Sequence, residues 1–254
     1  MQFDNRSSAG WLRRKLRATR LWGVLRDTSF IQSCRHFAKE FKNALWESRA
    51  NRVETVDQEL KEQKDPWKYE TNPAEKMRFA QQAELLDVAR KERLFPSALE
   101  IGCAEGIFTE VMADRCESLL VLDISATALA RTQSRREWAG SVRFGAFDLL
   151  NDAIPGTFDL IVVAGVLEYF NRPSTFSKMR EKLAAALKPN GYLLVETTRA
   201  SSIVEDSWWG KRLICGKWIN DFISKHPSLT IASSSIGDCF VVTLLQKTER
   251  GRGQ

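Results

Sequence analysis

Five apolar runs separated by helix-length stretches are the feature that most constrains how this chain of 254 residues folds. The runs cover residues 97–102, 118–124, 142–147, 158–165 and 192–197, and helical composition fills 106–115, 125–138 and 173–187. Continuous apolar strands that alternate with helices form a parallel sheet covered by helices on both faces. The sequence therefore predicts an α/β protein with a doubly wound sheet.

The last part of the chain departs from this alternation. Two β-type runs, 229–236 and 239–246, flank a Gly237-Asp238 turn and predict an antiparallel hairpin. Ahead of the first strand, Asn72-Pro73-Ala74-Glu75 predicts a capped helix start, followed by a helix of about 20 residues.

The net charge of +6 is concentrated at the amino terminus. Residues 1–26 carry seven basic residues against one acidic residue, so the rest of the chain is nearly neutral. We therefore expect a basic, helical extension over 1–60, a main domain over 61–248 and a flexible tail over 249–254. A neutral main domain disfavours nucleic-acid binding by the whole protein.

The extension contains a candidate surface-binding helix. Residues 11–25 mix leucine and tryptophan with arginine, a pattern typical of a helix that lies on an anionic membrane or on a partner protein. The alternative is a helix that packs on the main domain and exposes its charges. No apolar run approaches the length of about 20 residues that spans a bilayer, no signal peptide is visible, and the five cysteines are dispersed. These features predict a cytoplasmic protein, with peripheral contact to the inner membrane face as an option.

Ligands of doubly wound sheets bind beyond the carboxyl ends of the strands. Gly102 and Gly106 allow close backbone approach after the first strand, and Asp123 follows Gly102 by 21 residues, the distance at which an acid meets a ribose diol. Asp148 follows the third strand, where its side chain can accept from an adenine amino group while Phe147 or Leu149 flanks the ring. The pattern predicts an adenosine-containing ligand.

Two adenosine ligands fit this description, a dinucleotide and S-adenosylmethionine. A dinucleotide requires the G-x-G-x-x-G pattern that seats a pyrophosphate on a helix amino terminus. Here the spacing is G-x-x-x-G, and no second nucleotide-binding half follows. S-adenosylmethionine has no phosphates and needs close backbone approach without a pyrophosphate cradle, so it is the favoured ligand.

The same residues resemble the class I S-adenosylmethionine-dependent methyltransferases over about residues 65–247. The resemblance is carried by Glu100-x-Gly102-x-x-x-Gly106, Asp123, Asp148, FDLIVVAGVLEYF and LKPNGYLLVE. More narrowly, DPWKYETNPAEKMRFA, DISATALARTQSR and GDCFVVTLL resemble the nodulation-protein-S-like methyltransferases. That family includes an N-methyltransferase of a chito-oligosaccharide amine. The resemblance implies a Rossmann-like, seven-stranded sheet whose last strand is antiparallel.

The resemblance also implies roles for individual residues. The turn of Glu100, Gly102, Ala104 and Gly106 would lie under the methionine part of the cofactor. The other predicted cofactor ligands are Asp123 and Ile124 at the ribose, Asp148 and Leu149 at the adenine, and Ala164 at the amino-acid end. Residues 65–69, which include Trp67 and Tyr69, would close over the cofactor. Ala104 departs from the family pattern, which has glycine there. We expect a negative φ at Ala104 and a slightly adjusted, functional cofactor site.

Methyl transfer is an in-line displacement in which a protein mainly supplies alignment and exclusion of water. A base is needed only for a protonated amine or a hydroxyl acceptor. Glu168 and Tyr169, after the fourth strand, are the first catalytic candidates, with a loop-bracing role as the alternative for Glu168. His226 is a further candidate, and a surface position beside Pro227 is its alternative.

The stretch 201–226 before the hairpin is the candidate acceptor-binding region. Trp208, Trp209 and Trp218 can present flat faces to a sugar ring or contact an amine. The alternative is that they form the apolar side of a helix packed on the sheet.

These features predict a methyltransferase that acts on N or O of a small-molecule or saccharide acceptor. One alternative is an RNA or protein methyltransferase that uses residues 1–26 as a binding arm. Another is a non-catalytic partner subunit with a methyltransferase fold, for which Ala104 is the only support.

Overall fold

The computed structural model describes residues 49–170, 172–199, 216–237 and 239–248. Their centre is a seven-stranded sheet of order β3-β2-β1-β4-β5-β7-β6. Its strands are β1 (Ala98–Ile101), β2 (Leu119–Asp123), β3 (Val142–Ala146), β4 (Phe158–Ala164), β5 (Leu187–Thr198), β6 (Leu229–Ile236) and β7 (Phe240–Lys247). Strands β1 to β5 are parallel, and β7 is antiparallel to both β5 and β6. The predicted doubly wound sheet with an antiparallel last strand is confirmed.

Helices cover both faces of this sheet. They are α1 (Arg49–Glu62), α2 (Pro73–Arg90), α3 (Ile107–Ala113), α4 (Ala126–Ser134), α5 (Pro173–Ala186) and α6 (Gly216–Ser224), with a 3-10 turn at Leu167–Tyr169. One hydrophobic cluster lies between the sheet and α5 and α6, and the other lies between the sheet and α1 to α4. Within β4, Ile161 and Val163 belong to the first cluster and Leu160 and Val162 to the second. Burial on both faces explains the continuous apolar runs.

Helix α2 begins as its sequence predicts. The Asn72 side chain accepts a hydrogen bond from the Ala74 amide at 3.0 Å, and Pro73 occupies the first turn of an 18-residue helix. Glu75 does not cap the Asn72 amide in return, because this amide donates to the Lys68 carbonyl at 2.8 Å and the Glu75 carboxylate lies 2.8 Å from Nε of Arg78.

Residues 188–191, between the predicted helix over 173–187 and the apolar run over 192–197, lie inside a strand. Helix α5 ends at Ala186 and β5 begins at Leu187, with an irregular register that pairs Leu187 with Phe158 and Tyr192 with Leu160. Asn190 adopts a φ of 63° within this irregular part. The turn residues therefore produce a bulge in β5 without ending it.

Helix α1 runs through the expected domain boundary at residue 60. Leu60 is fully buried in the cluster that includes α2 to α4, and its carbonyl accepts a hydrogen bond from Arg131. The predicted helix over 11–25 and the tail over 249–254 lie outside the described residues, so the division of the chain at those points stays a prediction. Within the ranges described, no helix combines the length and apolarity needed to cross a membrane.

Candidate active site

A pocket opens at the carboxyl ends of β1, β2 and β4 and takes in the loop after β3. It brings together most of the predicted site residues: Trp67, Tyr69, Glu100, Gly102, Ala104, Asp123, Ile124, Asp148, Leu149, Ala164 and Tyr169. They converge because the carboxyl ends of parallel strands meet at one edge of a sheet.

Two glycines shape the turn after β1. Gly102 has a φ of 90°, and a Cβ at this position would lie 2.2 Å from Cγ2 of Val166. Gly106 has a φ of 79° at the start of α3, and a Cβ there would lie 2.7 Å from Cγ2 of Thr132. Only glycine fits both the backbone and the space. Gly102 lines the pocket, whereas Gly106 shapes the turn without lining it.

Ala104, midway between these glycines, also has a positive φ of 48°. The expectation of a negative φ was wrong. The turn holds this conformation through two hydrogen bonds, from the Ala104 amide to Oδ2 of Asp123 at 3.2 Å and from Oγ1 of Thr132 to the Ala104 carbonyl at 3.3 Å. A left-handed backbone costs a non-glycine residue about 1–2 kcal/mol, so the turn retains a glycine-like path at the expense of stability.

Asp123 presents a buried carboxylate at the end of β2. The amide of Ser125 donates to Oδ1 at 2.8 Å, and the amide of Ala104 donates to Oδ2. Burial raises the pKa of Asp123, and the donated hydrogen bonds act against that rise. A carboxylate offers about four acceptor positions, so Asp123 retains capacity for hydroxyl donors.

Glu100, one strand away, carries a carboxyl group that the fold only partly satisfies. It is 2% exposed, and its Oε2 has no hydrogen-bond partner among the described residues. Burial raises the pKa of Glu100 to about 8, and the neighbouring Asp123 adds to the rise. A buried polar atom without a partner is costly, which marks this point of the pocket wall as a place for a donor from a ligand.

The loop after β3 carries Asp148 and Leu149 into the pocket. Asp148 is fully buried; its Oδ1 accepts from the Leu150 amide at 3.0 Å and its Oδ2 from Nδ2 of Asn151 at 2.7 Å. The Asp148 amide in turn donates to Oδ2 of Asp152 at 2.8 Å. The carboxylate is thus held in one orientation by its own loop.

The segment 65–69 lies against the glycine turn. Oε1 of Glu105 accepts a hydrogen bond from the Asp65 amide at 3.2 Å, and Oδ1 of Asp65 accepts from the Tyr69 amide at 2.7 Å. The rings of Trp67 and Tyr69 stack with centroids 5.5 Å apart, and both line the pocket. This arrangement agrees with the closing role that the resemblance implies.

Arg78 is a pocket residue that the sequence analysis missed. Its Nη1 lies 2.6 Å from Oε2 of Glu196, near the end of β5, and its guanidinium carbon lies 4.6 Å from the ring centroid of Phe79. Burial acts to lower the pKa of Arg78, but Glu196, Tyr69 and Glu75 together outweigh it and the pKa is raised. The available signal was helical spacing, because Arg78, Gln82 and Leu86 share the buried face of α2 and a charged residue on such a face needs a partner.

The catalytic candidates are separated by the fold. Tyr169 lines the pocket, whereas Glu168 does not, and Oε1 of Glu168 accepts from the Thr198 amide at 2.5 Å. This bond ties the loop after β4 to the end of β5, as the bracing alternative predicts.

His226 lies at the opposite edge of the sheet, which corrects its assignment as a catalytic candidate. Its Nε2 is 3.1 Å from Oε2 of Glu181, and its Nδ1 accepts from the Ser228 amide at 3.1 Å. Strand β6 runs in the same direction as β5, so the residues that precede it lie at the amino edge.

Trp218 packs in the hydrophobic cluster, as the helix alternative predicts. Its ring centroid lies 5.5 Å from that of Phe176 and 4.9 Å from that of Phe222. Trp208 and Trp209 lie outside the described residues. Trp218 therefore serves to hold α6 on the sheet.

The family model described as Nodulation protein S (NodS) matches residues 48–248. The chain belongs to the nodulation protein S family. The match includes the glycine turn, the closing segment and the hairpin.

Two curated relatives illustrate the similarity. Nodulation protein S of Bradyrhizobium diazoefficiens is 35% identical over 135 residues, which is 53% of this chain and 63% of that protein. Nodulation protein S of Rhizobium tropici is 36% identical over 135 residues, 53% of this chain and 56% of that protein. The chain thus spans less than two thirds of the length of these relatives.

A solved structure covers more of the chain. The crystal structure of N-methyltransferase NodS from Bradyrhizobium japonicum WM9 in complex with S-adenosyl-L-homocysteine is similar with a TM-score of 0.65 and 26% identity. The similarity covers 78% of this chain and 98% of that one. This chain therefore shares the class I methyltransferase fold of that family member.

Proposed function

We propose that this chain is an S-adenosylmethionine-dependent methyltransferase that acts on a nitrogen or oxygen of a small-molecule or saccharide acceptor. The observation that carries this proposal is the joining, at one edge, of the glycine-type turn, the Asp123 carboxylate and the Asp148–Leu149 loop. The similar structure is that of an N-methyltransferase, which favours nitrogen as the acceptor atom.

The pocket fits the proposed cofactor point by point. Asp123 has acceptor capacity for the two ribose hydroxyls, and Asp148 and Leu149 line the pocket and would contact the adenine. The turn at Gly102 provides the close backbone approach that the methionine part needs. The fit rests on acceptors and open backbone, and it needs no phosphate cradle.

Charged groups also suit the amino-acid end of the cofactor. Arg78 and Ala164 both line the pocket, and Glu196, the ion-pair partner of Arg78, pairs with Ala164 in the sheet register. Oε1 of Glu196 has no hydrogen-bond partner among the described residues. The Arg78 guanidinium suits the carboxylate of the cofactor's amino-acid end, and Glu196, which does not line the pocket, holds the guanidinium there.

The chemistry divides between cofactor and protein. S-adenosylmethionine, when bound, supplies a methyl group activated by its sulfonium. The protein residues would bind, orient and exclude water: the stacked Trp67 and Tyr69 line the pocket, as does Tyr169, the residue we propose for the acceptor side. A neutral amine acceptor needs no base before transfer, so alignment is the main requirement.

Of the two rival functions, the non-catalytic subunit loses its support, and the other is not tested by the described residues. Ala104 was the only support for a non-catalytic subunit, and its positive φ preserves the glycine-type turn. The RNA or protein methyltransferase alternative depends on residues 1–26, which lie outside the described residues. We further infer a cytoplasmic location, in which residues 1–26 are the candidate contact with a membrane surface or a protein partner.

The proposal is tested by calorimetry with S-adenosylhomocysteine. We expect micromolar binding by the wild-type chain and a loss of 30-fold or more for Asp123→Ala, because the ribose loses its acceptor. The matched control is Asp159→Ala, a carboxylate at the amino edge, which should bind within threefold of wild type. Absence of binding by the wild type, or equal effects of the two variants, would contradict the proposal. Labelled methyl transfer to amine-bearing saccharides then identifies the acceptor.

A further inference from the structure

Lys182, on helix α5, fastens the loop that follows β3. Its Nζ donates to the carbonyls of Leu149 at 2.7 Å, Leu150 at 3.1 Å and Asp152 at 2.6 Å. An ammonium group has three donors, and all three go to backbone oxygens of this one loop. Lys182 therefore holds the main chain of residues 149–152 in a single path.

The opposite side of the same loop faces the pocket. Asp148 and Leu149 line it, whereas Lys182 does not. The Asp148 carboxylate accepts hydrogen bonds from Leu150 and Asn151, so its orientation follows the path of the loop main chain. Lys182 thus reaches the pocket only through the loop that it holds.

The bonding of Lys182 differs from that of an ordinary ion pair in the same chain. Lys188 donates to Oδ2 of Asp159 at 2.8 Å and to Oγ of Ser97 at 2.9 Å, at the amino edge. Lys182 has Asp148 and Asp152 as electrostatic neighbours, yet its three donors are directed to carbonyls. Burial lowers the pKa of Lys182 although these two carboxylates act to raise it. The partly desolvated ammonium therefore acts as a clamp on the backbone.

We propose that Lys182 is a positioning residue for purine recognition, which fixes the Asp148 carboxylate where it accepts the 6-amino group of the bound adenine. This inference rests on the proposed function. A loop that is already ordered lowers the conformational cost of binding, and it places the acceptor for an amino group specifically. Loss of the clamp should therefore weaken recognition of that amino group more than contact with the rest of the ligand.

The test combines two ligands with matched variants of the chain of 254 residues. S-adenosylhomocysteine carries the 6-amino group, and S-inosylhomocysteine carries a 6-oxo group in its place. We expect the wild type to prefer the adenine ligand tenfold or more by calorimetry. Lys182→Met should weaken binding of the adenine ligand about tenfold and of the inosine ligand less than threefold, so that the preference collapses.

Two further variants keep the outcome interpretable. Lys188→Met removes the same charge at the other edge and should retain the full preference. Lys182→Arg keeps the charge but cannot direct three donors from one atom, so the preference for the adenine ligand should fall at least threefold. This variant keeps the inference testable if Lys182→Met does not fold. Equal weakening of both ligands in the Lys182 variants indicates a general structural role and overturns the inference, as does an unchanged preference.

The failure of the proposed function has a different signature. A wild-type chain that binds neither ligand removes the proposed function and this inference together. A wild-type chain that binds with the expected preference, combined with variants that keep it, removes the role of Lys182 alone.

Discussion

The two edges of the sheet treat carboxylates in opposite ways. At the amino edge, Asp159 is partly exposed and receives hydrogen bonds from Lys188 and Ser97. Burial acts to raise the pKa of Asp159, but these donors outweigh it and the pKa is lowered. At the carboxyl edge, Glu100 and Asp123 are buried and their pKa values are raised.

The difference supports the carboxyl edge as the proposed ligand site. A carboxylate with hydrogen-bond donors, such as Asp159, adds to the stability of the folded state. Buried acids with raised pKa values reduce that stability at neutral pH. Oε2 of Glu100 and Oε1 of Glu196 lie at the carboxyl edge without hydrogen-bond partners among the described residues. Perturbed, incompletely satisfied groups concentrate at functional sites. The carboxyl edge gives up stability that donors from a bound ligand can restore.

The largest expected effect on stability comes from adding a side chain to a glycine at each edge of the sheet. Gly102→Ala at the carboxyl edge places a Cβ 2.2 Å from Val166 at a φ of 90°, so we expect a loss of about 2–4 kcal/mol in the free energy of unfolding. Gly140→Ala, before β3 at the amino edge, meets no atom within 4 Å and should change it by less than about 1 kcal/mol. Chemical denaturation measures both. Equal effects would mean that the turn tolerates a side chain and that its glycine serves no packing purpose.

The second prediction concerns pH. Because the pKa of Glu100 is raised to about 8 from a lower unfolded value, its contribution to stability is full at low pH and is lost as the pH rises through 8. Glu100→Gln should therefore be more stable than wild type at pH 8 by roughly 2–4 kcal/mol, and the gap should shrink towards pH 5.

Asp159→Asn provides the opposite sign. Its lowered pKa means that its contribution is present at neutral pH and is lost on acidification. The variant should be less stable than wild type at pH 7 by up to about 1 kcal/mol, with a smaller difference at pH 3. Thermal unfolding across this pH range distinguishes the two slopes, and parallel slopes would remove the contrast between the edges.

The third prediction concerns the strained alanine. Ala104→Gly relieves the positive φ and should raise the free energy of unfolding by about 0.5–1 kcal/mol, with cofactor binding retained. Ala83→Gly, in the interior of helix α2, is the control and should lower it by about 0.5–1 kcal/mol. A destabilised Ala104→Gly variant would show that the turn carries no strain.

The smallest effect is expected for His226→Gln at the amino edge. His226 contacts Glu181 and Ser228 away from the pocket, so the affinity for S-adenosylhomocysteine and the rate of methyl transfer should stay within twofold of wild type. A tenfold loss of transfer rate with intact folding would return His226 to the catalytic candidates.

The local sequence pattern was enough to predict most of the strands and helices of this protein. The strands and helices were predicted from apolar runs and caps, because burial on both faces demands continuous apolar residues and helix ends need side-chain partners. The positions of Asp123 and Asp148 at strand ends were likewise sufficient to place them at one edge, because parallel strands end together.

Tertiary structure decided what depends on contacts between distant residues. The φ of Ala104 follows from hydrogen bonds to Asp123 and Thr132, and the partner of Arg78 is Glu196, 118 residues away. The direction of β6 in the sheet places His226 at the amino edge, away from the pocket. Residue type and spacing report burial and chain reversal, whereas the pairing of charges and the strain of a turn arise only when separate segments of the chain pack together.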